Sequence, residues 1–251
     1  MQSLKIFIFI TMNNLTIKLS NYKYITYTDL KMLNYNLSDT IINDKYYYYK
    51  TLYHTIKNFG IKVCRDDINK YNELNKYDIL NYYFNNDSRY NNNFWNSDSI
   101  RRVNLQLHTN FNNNYIKYFS SSNIKLINPN LPELFNNIRK KDIKITLNTE
   151  YPKKVNELII NKLNINEFSN DNISSEDVKI GSPYPYKIFK LMERNNIVSP
   201  NNVINFGSIN SNILEGINAN CPSIGILNKR NSKNELCNAH YIVNGIMDIK
   251  N

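Results

Sequence analysis

Alanine is almost missing from this chain, occurring only at Ala219 and Ala239. Glycine is scarce as well. Its six positions, Gly60, Gly181, Gly207, Gly216, Gly225 and Gly245, are too dispersed for a phosphate-cradling loop or a dinucleotide fingerprint. No serine sits in a nucleophile-elbow pattern. Cysteine occurs three times, at Cys64, Cys221 and Cys237, an odd and scattered set that excludes a disulfide framework and fits a reducing compartment. No apolar run reaches the roughly 18 residues that a membrane helix needs. The apolar start, Met1 to Ile10, lacks both a small-residue cleavage site and the Arg-rich character of a transit peptide, so it reads as a buried strand or an anchor onto a neighbour.

What is present is asparagine, about a fifth of the 251 residues, with much Ile, Lys and Tyr. These residues have A/T-rich codons and the depleted ones G/C-rich codons, so the composition reads as mutational bias in an A/T-rich genome such as an organelle's. The 31 basic residues against 21 acidic ones leave a net charge of +10, which suits a polyanionic partner.

Ile42, Tyr46, Tyr49, Tyr53 and Ile56 recur at helical spacing after Ser38 and Asp39, which could cap the start. Gly60 falls where a left-handed glycine closes a helix, and Ile61 to Cys64 reads as a short strand. Ile68, Tyr71, Leu74 and Tyr77 suggest a second helix, giving an α/β alternation. Residues 81–114 read as Asn-dense loop anchored by Trp95, and 169–177 as an exposed loop. A helix is predicted from Pro152 through Leu158, Ile159, Leu163 and Ile165, and another over Tyr186 to Arg194. Val203 to Phe206, a helix capped by Ser211, and Ile224 to Leu227 form a βαβ segment whose strands are expected to be adjacent and parallel, with a further strand at Tyr241 to Val243. The expected fold is α/β: one three-layer domain over 1–251 with a mainly parallel, flavodoxin- or Rossmann-like sheet and irregular Asn-rich insertions. Within it, 1–30 is an N-terminal extension or edge strand, 81–180 an insertion-rich region and 199–251 the clearest segment.

Pro200-Asn201-Asn202-Val203-Ile204, Asn212-Ile213-Leu214-Glu215-Gly216 and Cys221-Pro222-Ser223-Ile224-Gly225-Ile226-Leu227-Asn228 together resemble the small-subunit ribosomal protein S-two family. Asn93-Phe94-Trp95 is similar to a strand end of that family. The resemblance implies a non-catalytic constituent of an organellar small ribosomal subunit, mitochondrial rather than plastid. Its partners would be small-subunit rRNA and neighbouring ribosomal proteins in translation, with no small-molecule substrate, no cofactor and no membrane. The cations expected to meet phosphate are Arg101, Arg102, Arg139, Lys140, Lys141, Lys229, Arg230 and Lys233, each in a local cluster without equal acidic partners. Cys237 and His240 have the spacing of paired metal ligands, with Cys221 nearby, but a fourth ligand is missing; free thiols without metal are expected. Two further readings are an organelle-specific assembly factor and a doubly wound α/β enzyme. In the enzyme reading Gly207-Ser208 and Asn228 would sit at the carboxyl ends of strands, where such folds bind ligands.

Overall fold

The computed structural model describes residues 7–11, 14–18, 24–44, 47–69, 76–91 and 96–250. Its strands are β1 (Phe7–Thr11), β2 (Asn14–Lys18), β3 (Tyr24–Tyr27), β4 (Met32–Asn36), β5 (Lys144–Asn148), β6 (Asp171–Ile173), β7 (Val203–Gly207), β8 (Ser223–Ile226), β9 (Tyr241–Val243) and β10 (Ile249–Lys250). Its helices are α1 (Tyr47–Asn58), α2 (Arg65–Asn69), α3 (Lys76–Asn85), α4 (Ser97–Ser121), α5 (Leu131–Arg139), α6 (Lys153–Lys162), α7 (Tyr186–Arg194) and α8 (Asn210–Asn218). The chain forms two compact units, one of 1–43 with 124–251 and one of 44–123.

The first unit is an α/β fold. Six parallel strands lie in the order β6-β5-β4-β7-β8-β9. β7 and β8 are adjacent and parallel, with Phe206 opposite Ile224, as their short apolar runs predict. From β4 the chain runs outward to β5 and β6, then returns to β7 on β4's other side and continues outward to β8 and β9. The β4/β7 boundary is therefore the point where strand order reverses, and the crevice beyond the carboxyl ends there is where ligands bind in such sheets. A second sheet, in the order β10-β1-β2-β3, takes up the described part of residues 1–30; residues 1–6 lie outside the described set.

β4 is buried at every position, as a central parallel strand must be. Its odd-numbered side chains face α5: Tyr35 stacks on Phe206 and tilts against Phe135. Its even-numbered side chains face α7 and α8, where Met32 joins Ile188, Leu191, Met192 and Val203 in one apolar cluster. α8 comes close to the sheet because Gly216 has no side chain: a Cβ there would collide with Ser223 Oγ and sit 2.6 Å from Asn205 Nδ2.

The second unit is helical. Residues 97–114, expected as loop, belong to the 25-residue helix α4 (97–121), capped by the Asn96 side chain on the Ser99 amide. Its buried residues Leu107, Phe111, Tyr115 and Phe119 repeat every four positions, the spacing of one helix face. Asparagines between them hide that face in any composition average. Residues 76–85, also partly assigned to the loop, form α3.

Other expectations need correction. Ser38 and Asp39 do not cap a helix; they lie in the turn after β4, and α1 starts only at Tyr47. Gly60 does close α1 with φ +80°, but Ile61 to Cys64 is not a strand, since α2 begins immediately after it. The segment 169–177 is not an exposed loop: it contains β6, and Ser169, Ile173 and Ser174 are buried. The predicted helix from Pro152 is α6, and Tyr186 to Arg194 is α7. Tyr46, Tyr71, Leu74 and the segment Asn93 to Trp95 lie outside the described residues.

Candidate functional site

The face of the sheet that carries the even-numbered side chains of β4 grows polar toward its carboxyl end. Behind Met32 and Val203 comes a row of side chains in register. Thr146 Oγ1 donates to Asn34 Oδ1 at 3.2 Å, and Asn34 Nδ2 donates to Asn205 Oδ1 at 2.8 Å. One step further Asn36 Nδ2 donates to Asn148 Oδ1 at 3.4 Å, and Asn148 Nδ2 donates to Glu215 Oε2 at 3.1 Å. All of these groups are buried, so their pairing offsets the cost of taking amides out of water.

Beside that row lies a compact ionic cluster. Lys187, from α7, has no exposed surface and pairs with Glu150, just past β5, and with Glu215 of α8 at 3.2 Å. Ser182 Oγ lies 2.9 Å from Lys187 Nζ and 2.9 Å from Glu150 Oε1, and donates to Glu215 Oε2 at 2.8 Å. Burial alone would push the Glu150 carboxyl up, but the Lys187 ammonium and the Ser182 donors outweigh it and hold it below the usual carboxylate range. Burial pushes Glu215 up, and the nearby Glu150 charge adds to this against the pull of Lys187. Burial would lower Lys187, yet the two glutamates hold it above the ordinary lysine value. Two carboxyl groups are thus driven apart in proton affinity around one cation, the pattern of an acid and base pair. The Lys187 ammonium stays protonated and cannot serve as a base for Ser182.

The mouth above is formed by the turns after β4, β5, β7 and β8. Arg230 ion-pairs with Asp39 and reaches Asn43, and Asn228 Nδ2 donates to Asp39 O at 3.2 Å. Ser208 Oγ donates to Ser38 O at 3.3 Å, and Asn231 Nδ2 donates to Ser208 O at 2.7 Å. Asp39 holds a left-handed φ of 53°, a conformation that aspartate tolerates better than most residues. The strand ends, the turns after them and the start of α8 carry Asn36, Ser38, Thr40, Asn148, Thr149, Ser208 and Asn212. Asn212 sits in the first turn of α8, packed against Gly207: a Cβ on that glycine would lie 2.5 Å from Asn212 Cβ. No side chain caps this helix start. Thr40 Oγ1 and both polar atoms of the Asn212 side chain are buried and find no hydrogen-bond partner among the described residues. Buried polar groups are seldom left unpaired, so these two side chains keep hydrogen-bonding capacity that the described residues do not meet.

A family model described as haloacid dehalogenase-like hydrolase matches residues 35–226. The chain belongs to that family. It is 32% identical over 104 residues to a phosphonoacetaldehyde hydrolase of Parabacteroides distasonis; the match spans 41% of this chain and only 39% of that protein. Among solved structures, it resembles a phosphonoacetaldehyde hydrolase-like protein from Oleispira antarctica with a TM-score of 0.67 and 18% identity, over 88% of this chain and 90% of the other. It also resembles CbbY from Rhodobacter sphaeroides in complex with phosphate, with a TM-score of 0.68 and 12% identity, over 86% and 94%. At these identities the structural likenesses establish the fold alone.

The family overturns the ribosomal reading. The match includes all but the last two residues of the segment Pro200 to Asn228 on which the resemblance to ribosomal protein S-two chiefly rested. A Pro-x-Ile-Gly-Ile run is what a parallel strand covered on both faces requires, and unrelated α/β folds share it. Membership of a hydrolase family likewise replaces a non-catalytic rRNA-binding constituent of the small subunit by an enzyme family, and removes the case for rRNA and ribosomal-protein partners and against a small-molecule substrate.

The eight cations singled out for phosphate are not brought to one place. Arg101 and Arg102 are exposed on α4 in the helical unit. Arg139, Lys140 and Lys141 lie near the amino end of β5, where Arg139 donates to Glu167 O at 2.7 Å and Lys141 to Ile10 O. Lys229, Arg230 and Lys233 follow β8 at the opposite, carboxyl end of the sheet, and of these Arg230 is engaged with Asp39. Cys64 and Cys237 are exposed free thiols, and burial pushes the Cys221 thiol up to about 12. His240 Nδ1 accepts from the Ser223 amide at 3.1 Å.

Sequence reasoning placed Ser208 and Asn228 at strand ends correctly. It missed Asn36, Thr40, Asn148, Asn212 and the Lys187 cluster. The usable signal was positional and covered two of them: an asparagine closing β4 and one closing β5.

Proposed function

We propose that this chain works as a hydrolase-family protein on a small phosphate- or phosphonate-bearing molecule, bound beyond the carboxyl ends of β4, β5 and β7. The observation that carries this reading is the pair of buried, unpartnered polar side chains, Thr40 and Asn212, at the sheet's reversal point beside the uncapped start of α8. A helix start offers amide hydrogens and positive potential to an anion, and neutral donors aimed at an oxyanion stabilise it without rearrangement. The names of the relatives, a phosphonoacetaldehyde hydrolase and a protein in complex with phosphate, support an anion of this class. Beneath the mouth Lys187 is neutralised by its pairing with Glu150 and Glu215, so the anion's partners are the neutral donors above it.

The test is a panel of phosphomonoesters and small phosphonates, read first by thermal shift and then by release of inorganic phosphate. Stabilisation by members of the panel, reduced in Thr40→Val and Ser208→Ala, is the expected result. A panel that leaves the wild-type melting temperature unmoved, with no phosphate released, would remove the proposal.

A further inference from the structure

Phosphoryl-transfer sites commonly place a divalent cation against the transferring group, and magnesium is held there by carboxylates. The donor set at this mouth does not fit such an ion. Asn36, Ser38, Thr40, Asn148, Thr149, Ser208 and Asn212 are all neutral. The two carboxylates that border it are committed elsewhere, Asp39 to Arg230 and Glu150 to Lys187. Glu215 is fully buried, held by Asn148, Ser182 and Lys187. Among the described residues no three of His, Cys, Asp and Glu come together as a metal site. Amides and hydroxyls are weak ligands for magnesium, which gives up its water reluctantly.

We infer that the mouth binds its phosphate or phosphonate group as a bare anion, without a divalent cation, using the Asn212 amide, the Thr40 hydroxyl and the start of α8. This rests on the proposed function and narrows it. A neutral, donor-rich set of side chains favours this mode. The carboxylates that border the mouth are charge-compensated, Asp39 by Arg230 and Glu150 by Lys187, so no cation is needed to bridge two negative groups. Asn212 is the sharpest element, since its amide has no protein partner to lose and gains one only when an anion arrives.

The experiment is titration of the full chain with inorganic phosphate, by calorimetry, in EDTA and in millimolar magnesium. The expected result is the same affinity in both, about tenfold weaker in Asn212→Leu, the size of one lost hydrogen bond to a charged group. Binding seen only with magnesium overturns the inference and leaves the proposed function standing; no binding in either condition overturns both. A second arm introduces the missing charge. The variant Ser208→Asp/Asn212→Asp is expected to gain thermal stability from magnesium alone, whereas wild type does not. Wild type that is itself stabilised by magnesium, or a double variant indifferent to it, counts against the idea that the neutral side chains exclude the ion.

Discussion

The two faces of β4, β5 and β7 are equally buried and chemically opposite. On one, Tyr35 stacks on Phe206 at a centroid distance of 4.5 Å and leans on Phe135 of α5. On the other, Asn34, Thr146 and Asn205 lock into a hydrogen-bonded row that leads to Asn36, Asn148, Glu215 and Lys187. The aromatic face is held by area removed from water, which is insensitive to direction. The polar face is held by pairing, and each group must find its partner or remain costly. The polar face runs out of partners at its carboxyl end, at Asn212, and that is where the ligand is proposed; on the aromatic face the Tyr35 hydroxyl is unpaired too, but it is enclosed by rings. Burial alone therefore does not separate core from site here.

The largest effects that would test this contrast come from removing one large group on each face. Phe206→Ala is expected to cost about 3–5 kcal/mol through lost contact and cavity. Lys187→Met should cost a similar amount, about 3–5 kcal/mol, although methionine is more apolar, because Glu150 and Glu215 are left without their cation. The distinguishing measurement is the triple variant Lys187→Met/Glu150→Leu/Glu215→Leu in chemical unfolding. Recovery toward wild-type stability is expected for a network held by pairing, and an additive further loss would contradict it. A middle-sized effect, about 1–3 kcal/mol, is expected for Asn34→Ala, which strands both Asn205 and Thr146.

The same cluster makes a prediction about pH. Glu150 is held below its ordinary 4.5, so its share of stability is present above that value and lost as pH falls through the depressed one. Glu215 is raised from 4.5 and acts in the opposite sense: its stability is full below 4.5 and declines as pH rises through the elevated value. Glu215→Gln copies the protonated state. The variant's melting temperature should therefore lose less than wild type's as pH rises above 4.5, while the loss on the acid side, which belongs to Glu150, persists. A variant with the wild-type decline on the upper side would show that Glu215 is ionised throughout.

The C-terminal third was legible because its strands keep the apolar runs of a parallel sheet. Val203 to Phe206 and Ile224 to Ile226 carry almost no asparagine, and α7 follows a visible proline signal; Ser211, expected to cap α8, instead lies inside that helix, which begins at Asn210 with no side-chain cap. β4, reading Met-Leu-Asn-Tyr-Asn, and β5, reading Lys-Ile-Thr-Leu-Asn, were not recognised although they are central. Their alternate positions carry amides and a hydroxyl that pair across the sheet, which no hydrophobic pattern reveals. In a chain where asparagine is everywhere, a buried, paired asparagine looks like a solvated one. The site was hidden for the same reason, and the basic clusters that stood out instead lie at both ends of the sheet and on a separate helical unit. The four-residue spacing of Leu107, Phe111, Tyr115 and Phe119, by contrast, was open to view and was masked only by the polar residues between.

The smallest expected effect is the most selective between the two faces. Tyr35 is fully buried among aromatic rings, and its hydroxyl has no hydrogen-bond partner among the described residues. Burial pushes that hydroxyl far above the ordinary tyrosine value, so it stays neutral over the accessible range of pH. Tyr35→Phe keeps the ring that stacks on Phe206 and deletes only the unpaired oxygen. Removing a buried group that makes no bond relieves its desolvation cost, so the variant should be neutral or more stable by up to about 1 kcal/mol. On the polar face the matching deletion, Asn34→Ala, goes the other way because the partners remain behind. Thermal unfolding of the two variants side by side reads the difference in sign. A clear loss in Tyr35→Phe would mean that the hydroxyl is paired, and that the aromatic face too depends on a polar contact.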